Sequence, residues 1–288
     1  MEKILLLALF MTIASASYAS DTYMLKTGEV AAPRLNQQNE VMKKNSVEQL
    51  RRAGLSKGQV VFDIGCGSGV MTTYLAEQVG ETGTVYAIDI SAEQLEVTRK
   101  AVESAGFSNV IHLQADILNA STLPNIKADI IHHRYVLMHL VGPDKAVAAM
   151  KSCLKPGGAV VGQESILSEA STQPEVPFYE RIKFMRSEIG KRLGVDSDIG
   201  KNLQQIYEKS GYALVETYKA PHRVAVIPFS EVSLKSFQEL KDKYIDAGLM
   251  TEDESASIED QLRNLPRTHP DLLYIFEQGH VIAKIRAS

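Results

Sequence analysis

The chain predicts an α/β fold: a doubly wound, mostly parallel sheet of seven strands with a helical insertion. Three observations carry this expectation. Val60 to Ile64 is a short apolar run, the composition of a strand buried on both faces. Gly65, Gly67 and Gly69 follow it, and Val70 to Val79 then has helical spacing, so the unit is strand, glycine loop, helix. Further apolar runs at 84–88, 110–113 and 128–132 alternate with helical stretches, the pattern of a parallel sheet.

Glycines at every second position remove the side chains at the carboxyl end of the first strand. The backbone there can turn sharply and approach a ligand closely. In open α/β sheets that edge is where nucleotides bind. The spacing decides which kind. A dinucleotide fingerprint, G-x-G-x-x-G, needs a third glycine at position 70, which is Val70. A phosphate-cradling loop needs Gly-Lys-Ser/Thr, and no lysine follows. A nucleophile elbow around Ser68 needs a glycine where Cys66 stands. The pattern D-x-G-x-G-x-G, Asp63 to Gly69, instead resembles the cofactor loop of class I S-adenosylmethionine-dependent methyltransferases. That resemblance implies that Asp63, Gly65 and Gly67 hold S-adenosyl-L-methionine.

The second strand, Thr84 to Ile88, ends in Asp89, about 20 residues past Gly69. A carboxylate at that distance can accept both ribose hydroxyls of a bound nucleoside. The alternative is an exposed acid before the next helix, whose start is signalled by the capping box of Ser91 and Gln94. The cap accounts for Ser91 but leaves Asp89 unexplained, and the ribose role, with Ile90 beside it, is the expectation. The third strand, Val110 to Leu113, leads to Asp116 and Ile117. The resemblance implies that Asp116 meets the adenine amino group and Ile117 packs on the ring. The fourth, Ala128 to His132, opens a segment that resembles the family's fourth motif, where His133 is the position of a largely backbone cofactor contact. Lys155-Pro156-Gly157-Gly158 is a structural turn before strand Ala159 to Gly162, with proline setting φ. The resemblance is strong over residues 45–165. Tyr23 to Glu29 and Arg34 to Gln38 also resemble the N-terminal helices of methyltransferases of the ubiquinone/menaquinone-biosynthesis type.

The chain has 288 residues and a formal net charge of −4, with no basic tract, so nucleic acid is not an expected partner. A hydrophobic fraction of 44% is that of an ordinary globular protein. The N-terminus is the second informative feature. Ile4 to Ile13 is apolar but too short to span a bilayer as a mature helix. With Ser17-Tyr18-Ala19 as a small-x-Ala site, residues 1–19 read as a signal peptide and the protein as exported. The alternative is a cytoplasmic protein with an apolar N-terminal helix packed on the domain. Export sits uneasily with a cofactor made in the cytosol. Cys66 and Cys153 read as two free thiols rather than a disulfide framework.

Residues 20–288 form one expected domain: a cofactor core over 45–165, a lid insertion over 166–210, and strands and helices over 211–288. Pro174 to Leu193 is an amphipathic helix whose stripe of Phe178, Ile182, Met185 and Ile189 faces a core. A helix over 200–210, a strand over 213–218, helices over 230–248 and 252–265, and a last strand within 274–285 complete the pattern. The expected chemistry is methyl transfer to a small-molecule acceptor, in which alignment does most of the work. Candidate bases are His133, His139, Glu164 and Tyr23, with His139 foremost. His132 and His133 point to opposite faces of one strand and cannot chelate one ion, so no metal site is expected. Two other readings stay open: a nicotinamide-dependent oxidoreductase, and an exported, non-catalytic binding protein of the same fold. Oligomeric state is not specified by these patterns.

Overall fold

The computed structural model describes residues 23–285. The proposed leader therefore lies outside the described residues. The first described residues enter a long helix, α1 (Ala32–Ala53), through a short turn at Gly28–Val30. Then β1 (Val60–Ile64), α2 (Val70–Val79), β2 (Thr84–Asp89), α3 (Ala92–Ser104), β3 (Val110–Gln114) and β4 (Ala128–Arg134) follow as read from the sequence. The chain continues through α4 (Pro143–Cys153), β5 (Leu154–Gln173), α5 (Pro177–Leu193), α6 (Leu203–Lys209) and β6 (Ala213–Ala225). It ends with α7 (Val226–Asp246), α8 (Glu252–Thr268) and β7 (Leu273–Lys284).

The seven strands form one sheet in the order β3-β2-β1-β4-β5-β7-β6. The pairs from β3 to β5 are parallel, and β7 runs antiparallel between β5 and β6. The chain order reverses at β1, where β2 lies on one side and β4 on the other, so β1 is a switch point of the sheet. One face packs on α4 and α6 through Ala146, Val147, Met150, Leu203 and Tyr207. The other packs on α1 and α2 through Leu50, Ala53, Met71, Leu75 and Val79. Both cysteines are free and buried.

Several elements run further than the sequence reading. β5 continues to Gln173 because β7 pairs with it as far as Leu273, across a bulge between Ile166 and Ser171. Lys155 to Gly158 loops out between the pairs Ala128–Leu154 and Ile130–Ala159, so the turn is a bulge in the β4–β5 ladder. β6 continues through Pro221 to Ala225. Proline is tolerated there because β6 is the edge strand. α7 starts at Val226, four residues before the expected Ser230, with Pro228 in its first turn where an amide hydrogen is dispensable. The expected helix over 200–210 is a single turn at Ile199–Lys201 followed by α6.

A second apolar cluster forms above the carboxyl edge of the sheet. Met185 and Ile189 of α5, Phe237, Leu240 and Tyr244 of α7, and Ile258 and Leu262 of α8 pack around Met24 and Leu25. The helical layer is thus assembled from three separate stretches, of which the expected insertion over 166–210 supplies α5. Among the described residues, no helix is long and apolar enough to cross a membrane.

Candidate active site

The glycine loop is held on the end of β2. Gly65 and Cys66 both donate to the Ile88 carbonyl, at 2.8 and 3.2 Å. From α3, Gln94 Nε2 and Thr98 Oγ1 both donate to the Gly67 carbonyl, at 2.6 and 2.8 Å. Gln94 also accepts from Gly28 N at 3.1 Å, which ties the N-terminal turn to the loop. Gly65 and Gly67 both have positive φ, but for different reasons. A Cβ at Gly65 would lie 2.5 Å from Val136 Cγ2, so packing demands glycine there. A Cβ at Gly67 would meet only Gly65 O and Leu35 Cδ1, each at 3.8 Å, and Gly67 lines an open cavity.

Asp63 is buried beneath the loop. Its Oδ2 accepts from Thr72 Oγ1 at 2.6 Å, and its Oδ1 lies 2.8 Å from His132 Nδ1. Burial pushes the His132 pKa down, so the imidazole is neutral and Nδ1 donates to Asp63. His132 Nε2 is buried without a hydrogen-bond partner, and His132 lines the cavity. Asp89, at the end of β2, accepts from Ser91 N at 3.0 Å and faces Gly67 N at 3.5 Å. Burial pushes its pKa up to about 6, against the hydrogen bonds from the Ser91 and Gly67 amides. Asp116 Oδ1 accepts from Leu118 N at 2.9 Å, which fixes the carboxylate at the end of β3.

The loop and the acids open on one cavity of about 980 Å³ at the carboxyl edge of the sheet. Asp63, Gly65, Gly67, Asp89, Ile90, Asp116, Ile117 and His139 line it. Small-molecule sites span roughly 300–1,000 Å³, so this one has room for a nucleoside-sized molecule and a second ligand. The far end lies under the helical layer and is walled by aromatic rings. Tyr179 Oη donates to Tyr274 Oη at 2.8 Å, and Phe229 stacks on Tyr274 with ring centroids 4.4 Å apart. His139 closes the turn Leu137–His139 between the two ends, its ring edge-on to Tyr23 at 4.7 Å. Its pKa is pushed down to about 3 by burial first and by Arg186 and Arg34 second. Burial pushes the Tyr23 phenol up. Buried Arg34 donates from Nε to Glu239 Oε1 at 3.0 Å, while its Nη2 has no partner.

Two expected site residues lie elsewhere. The His133 side chain is on the opposite face of β4 from His132, outside the cavity lining. Its Nδ1 lies 3.0 Å from Glu164 Oε1 and its Nε2 2.6 Å from Tyr207 Oη. Glu164, also a candidate base, accepts from the amides of Val136, Leu137 and Met138 at 3.0, 2.9 and 3.2 Å. Glu164 anchors the turn that carries His139, and neither side chain of the pair lines the cavity. Other cavity residues escaped the sequence reading: Tyr135, Tyr179, Arg186, Tyr244 and Tyr274. They come from four segments far apart in the chain, Tyr179 and Arg186 sharing α5, and no local motif marks them. Among the described residues, no group of three or more His, Cys, Asp or Glu could hold a metal ion.

Comparison with known proteins agrees with this geometry. The methyltransferase-domain family matches residues 55–211. The ubiquinone/menaquinone biosynthesis C-methyltransferase of Psychromonas ingrahamii is 34% identical over 150 residues, which are 51% of this chain and 58% of that protein. The chain therefore spans less than two thirds of that relative. A putative methyltransferase of Bacillus halodurans has a TM-score of 0.57 at 16% identity, covering 84% of this chain and 99% of its own. An S-adenosylmethionine-dependent methyltransferase of Aquifex aeolicus has a TM-score of 0.50 at 21% identity, covering 83% and 89%. The likeness to these structures is one of fold. The glycine loop, the acids at the ends of β2 and β3 and the matched domain lead to one conclusion: this chain belongs to the class I S-adenosylmethionine-dependent methyltransferases.

Proposed function

We propose that this protein transfers the methyl group of S-adenosylmethionine to a small-molecule acceptor bound under the helical layer. The observation that carries this reading is one cavity with two chemically distinct ends. The Asp63–Gly69 loop, Asp89 and Asp116 lie at one end, and an aromatic chamber lies at the other. The residues present fit the cofactor. Asp89 has lone pairs for the ribose hydroxyls, Asp116 can accept from the adenine amino group, and Ile90 and Ile117 flank the ring. His132 Nε2 and Arg34 Nη2 are both without partners, and they suit the ammonium and carboxylate of the methionine end. When bound, the cofactor supplies an electrophilic methyl group on a sulfonium.

The chain's own task is then alignment and exclusion of water. Alignment contributes roughly 7–11 kcal/mol in the best intramolecular cases. His139 faces the junction of the two ends and is the residue we assign to orient the acceptor nucleophile. Its imidazole is neutral throughout the physiological range, because burial holds its pKa at about 3. A neutral ring offers one donor and one acceptor, which suits it to orient a group more than to store its proton. His133 is not part of this machinery by side chain; a backbone contact from its position remains part of the proposal. An oxidoreductase reading is not favoured, because Val70 stands where the dinucleotide loop needs glycine.

We also infer that residues 1–19 are a cleaved leader that directs export. The support is the apolar stretch from Ile4 and the Ser17-Tyr18-Ala19 site. A cut after Ala19 would leave Tyr23, Met24 and Leu25, the first described residues, in place against the helical layer.

The test of the main reading is calorimetric titration with S-adenosylhomocysteine. Binding is expected, and Asp89→Ala should weaken it by roughly 1.5–3 kcal/mol through lost hydrogen bonds to a charged group. No binding at millimolar ligand overturns the reading.

A further inference from the structure

Arg186 is the unexplained cation of the cavity. It projects from α5 into the acceptor end, and its Nε is buried without a partner. It forms no hydrogen bond or ion pair with any described residue. The neighbouring cations of the helical layer are treated differently: Arg34 pairs with Glu239, Arg181 with Glu254 and Lys183 with Glu180. Glu277 lines the cavity but makes no ion pair with Arg186. A guanidinium left unpaired in a partly buried site is costly unless a ligand supplies the countercharge.

A second, independent observation lies beside it. Tyr244 of α7 is 1% exposed and lines the same cavity, yet its hydroxyl has no hydrogen-bond partner. Buried tyrosine hydroxyls normally find one. Two orphaned donors on two different helices thus face one chamber. A further cation lines the same cavity. Arg134 hydrogen-bonds only to neutral groups, Ser46 Oγ at 3.0 Å and Asn39 Oδ1 at 2.8 Å, with Asp63 as the acid that acts on its charge. Burial raises the pKa values of Tyr135, Tyr179, Tyr244 and Tyr274 and lowers that of His139, and Arg186 acts downward on all five, so its charge is felt across the chamber. The remaining wall is apolar and aromatic: Tyr179, Phe229 and Tyr274.

We propose that the methyl acceptor carries an oxyanion, a carboxylate or a phosphate, which Arg186 holds with the Tyr244 hydroxyl as a second donor. Its apolar or aromatic body packs on Tyr179, Phe229 and Tyr274. A planar guanidinium matches the geometry of either oxyanion. The anion fixes one end of the acceptor in the chamber, so that its nucleophile meets the His139 junction. This inference rests on the reading of the cavity as a cofactor site joined to an acceptor site.

The test uses the full chain saturated with S-adenosylhomocysteine and titrated with benzoate, phenyl phosphate and neutral benzamide. At least one anion is expected to bind about tenfold or more tightly than benzamide, as for hydrogen bonds to a charged group. The preferred anion identifies the group as carboxylate or phosphate. Arg186→Gln should erase the preference and Arg186→Lys should keep part of it, with S-adenosylhomocysteine affinity within about twofold of wild type in both. Tyr244→Phe should reduce the preference severalfold, and it serves as the deciding variant if Arg186→Gln does not fold. Equal binding of benzamide and both anions overturns the proposal. So does a preference that survives Arg186→Gln or, where that variant is unfolded, survives Tyr244→Phe unchanged. Failure of the wild type to bind S-adenosylhomocysteine is a separate result: it overturns the methyltransferase reading and this inference with it.

Discussion

A carboxylate with no exposed surface must have its lone pairs satisfied inside the protein, and Glu164 meets this condition with three amides and an imidazole. The amides belong to Val136, Leu137 and Met138, the start of the short turn that carries His139. A buried acid on β5 therefore sets the position of a cavity residue after β4, without touching a ligand itself. Glu164→Ala would leave three amides and His133 without their acceptor. The loss should be about 3 kcal/mol or more, since each buried polar group left without its partner costs about 1–3 kcal/mol. Urea unfolding checks it. A loss below about 1 kcal/mol would mean that the turn is held by other contacts. From sequence, Glu164 and His133 are candidate bases because both are ionisable and stand just past the expected strands 159–162 and 128–132. Which side of a sheet a buried side chain faces depends on strand register, which the motif does not encode. The cavity positions of Asp63, Asp89 and Asp116 were legible because each lies at or just past the carboxyl end of its strand, where a parallel sheet exposes its ligand edge.

At the scale of elements, β1 to β4 match the reading because each is a short apolar run bounded by turn residues. The ribbon of β5, β6 and β7 was only partly legible. Ser165 to Gln173 and Lys219 to Ala225 are polar-rich and carry Pro221, so neither reads as strand locally; pairing with β7 makes them so. The same dependence on distant partners governs the N-terminal segment. Met24 is 1% exposed among Met185, Phe237, Leu240 and Tyr244. Lys243 Nζ donates to its carbonyl at 2.8 Å, and Lys26 N donates to Glu239 at 3.1 Å. Deleting residues 1–19 should leave stability and S-adenosylhomocysteine affinity unchanged. Deleting residues 1–25 should cost about 3 kcal/mol or more, the value of one to two buried apolar side chains. Denaturant unfolding of both truncations distinguishes the cases. A loss already present on removal of 1–19 would show that those residues pack on the domain and are not a cleaved leader.

For the whole molecule, the acceptor end was illegible because no stretch of sequence contains it. Tyr23, Tyr135, Tyr179, Tyr244 and Tyr274 converge only once the helical layer has closed over the sheet. That burial also sets how the fold responds to acid. His139 and His280 are both pushed down to about 3, by burial first. Between pH 6.5 and 3 the unfolded chain takes up two protons that these rings refuse, so stability falls as pH falls through that window. Asp89 acts in the opposite sense. Its pKa is raised to about 6, so the native state takes up a proton between pH 6 and 3.8 that the unfolded chain does not. His112, His132 and His222 are also pushed down by burial and act in the same sense, while Asp89 offsets about one proton of their sum, about 1.4 kcal/mol per pH unit around pH 5. Ribose hydroxyls donating to Asp89 would hold it ionised and remove the offset. Saturation with S-adenosylhomocysteine should then steepen the slope by about 1.4 kcal/mol per pH unit. By the same linkage, affinity for this ligand should rise with pH through about 6. Urea unfolding at several values between pH 4.5 and 7.5, with and without ligand, measures both slopes. If the ligand binds but the two slopes coincide, Asp89 does not meet the ribose. The acid at the end of β2 is then a helix-start residue that accepts only from Ser91 and Gly67.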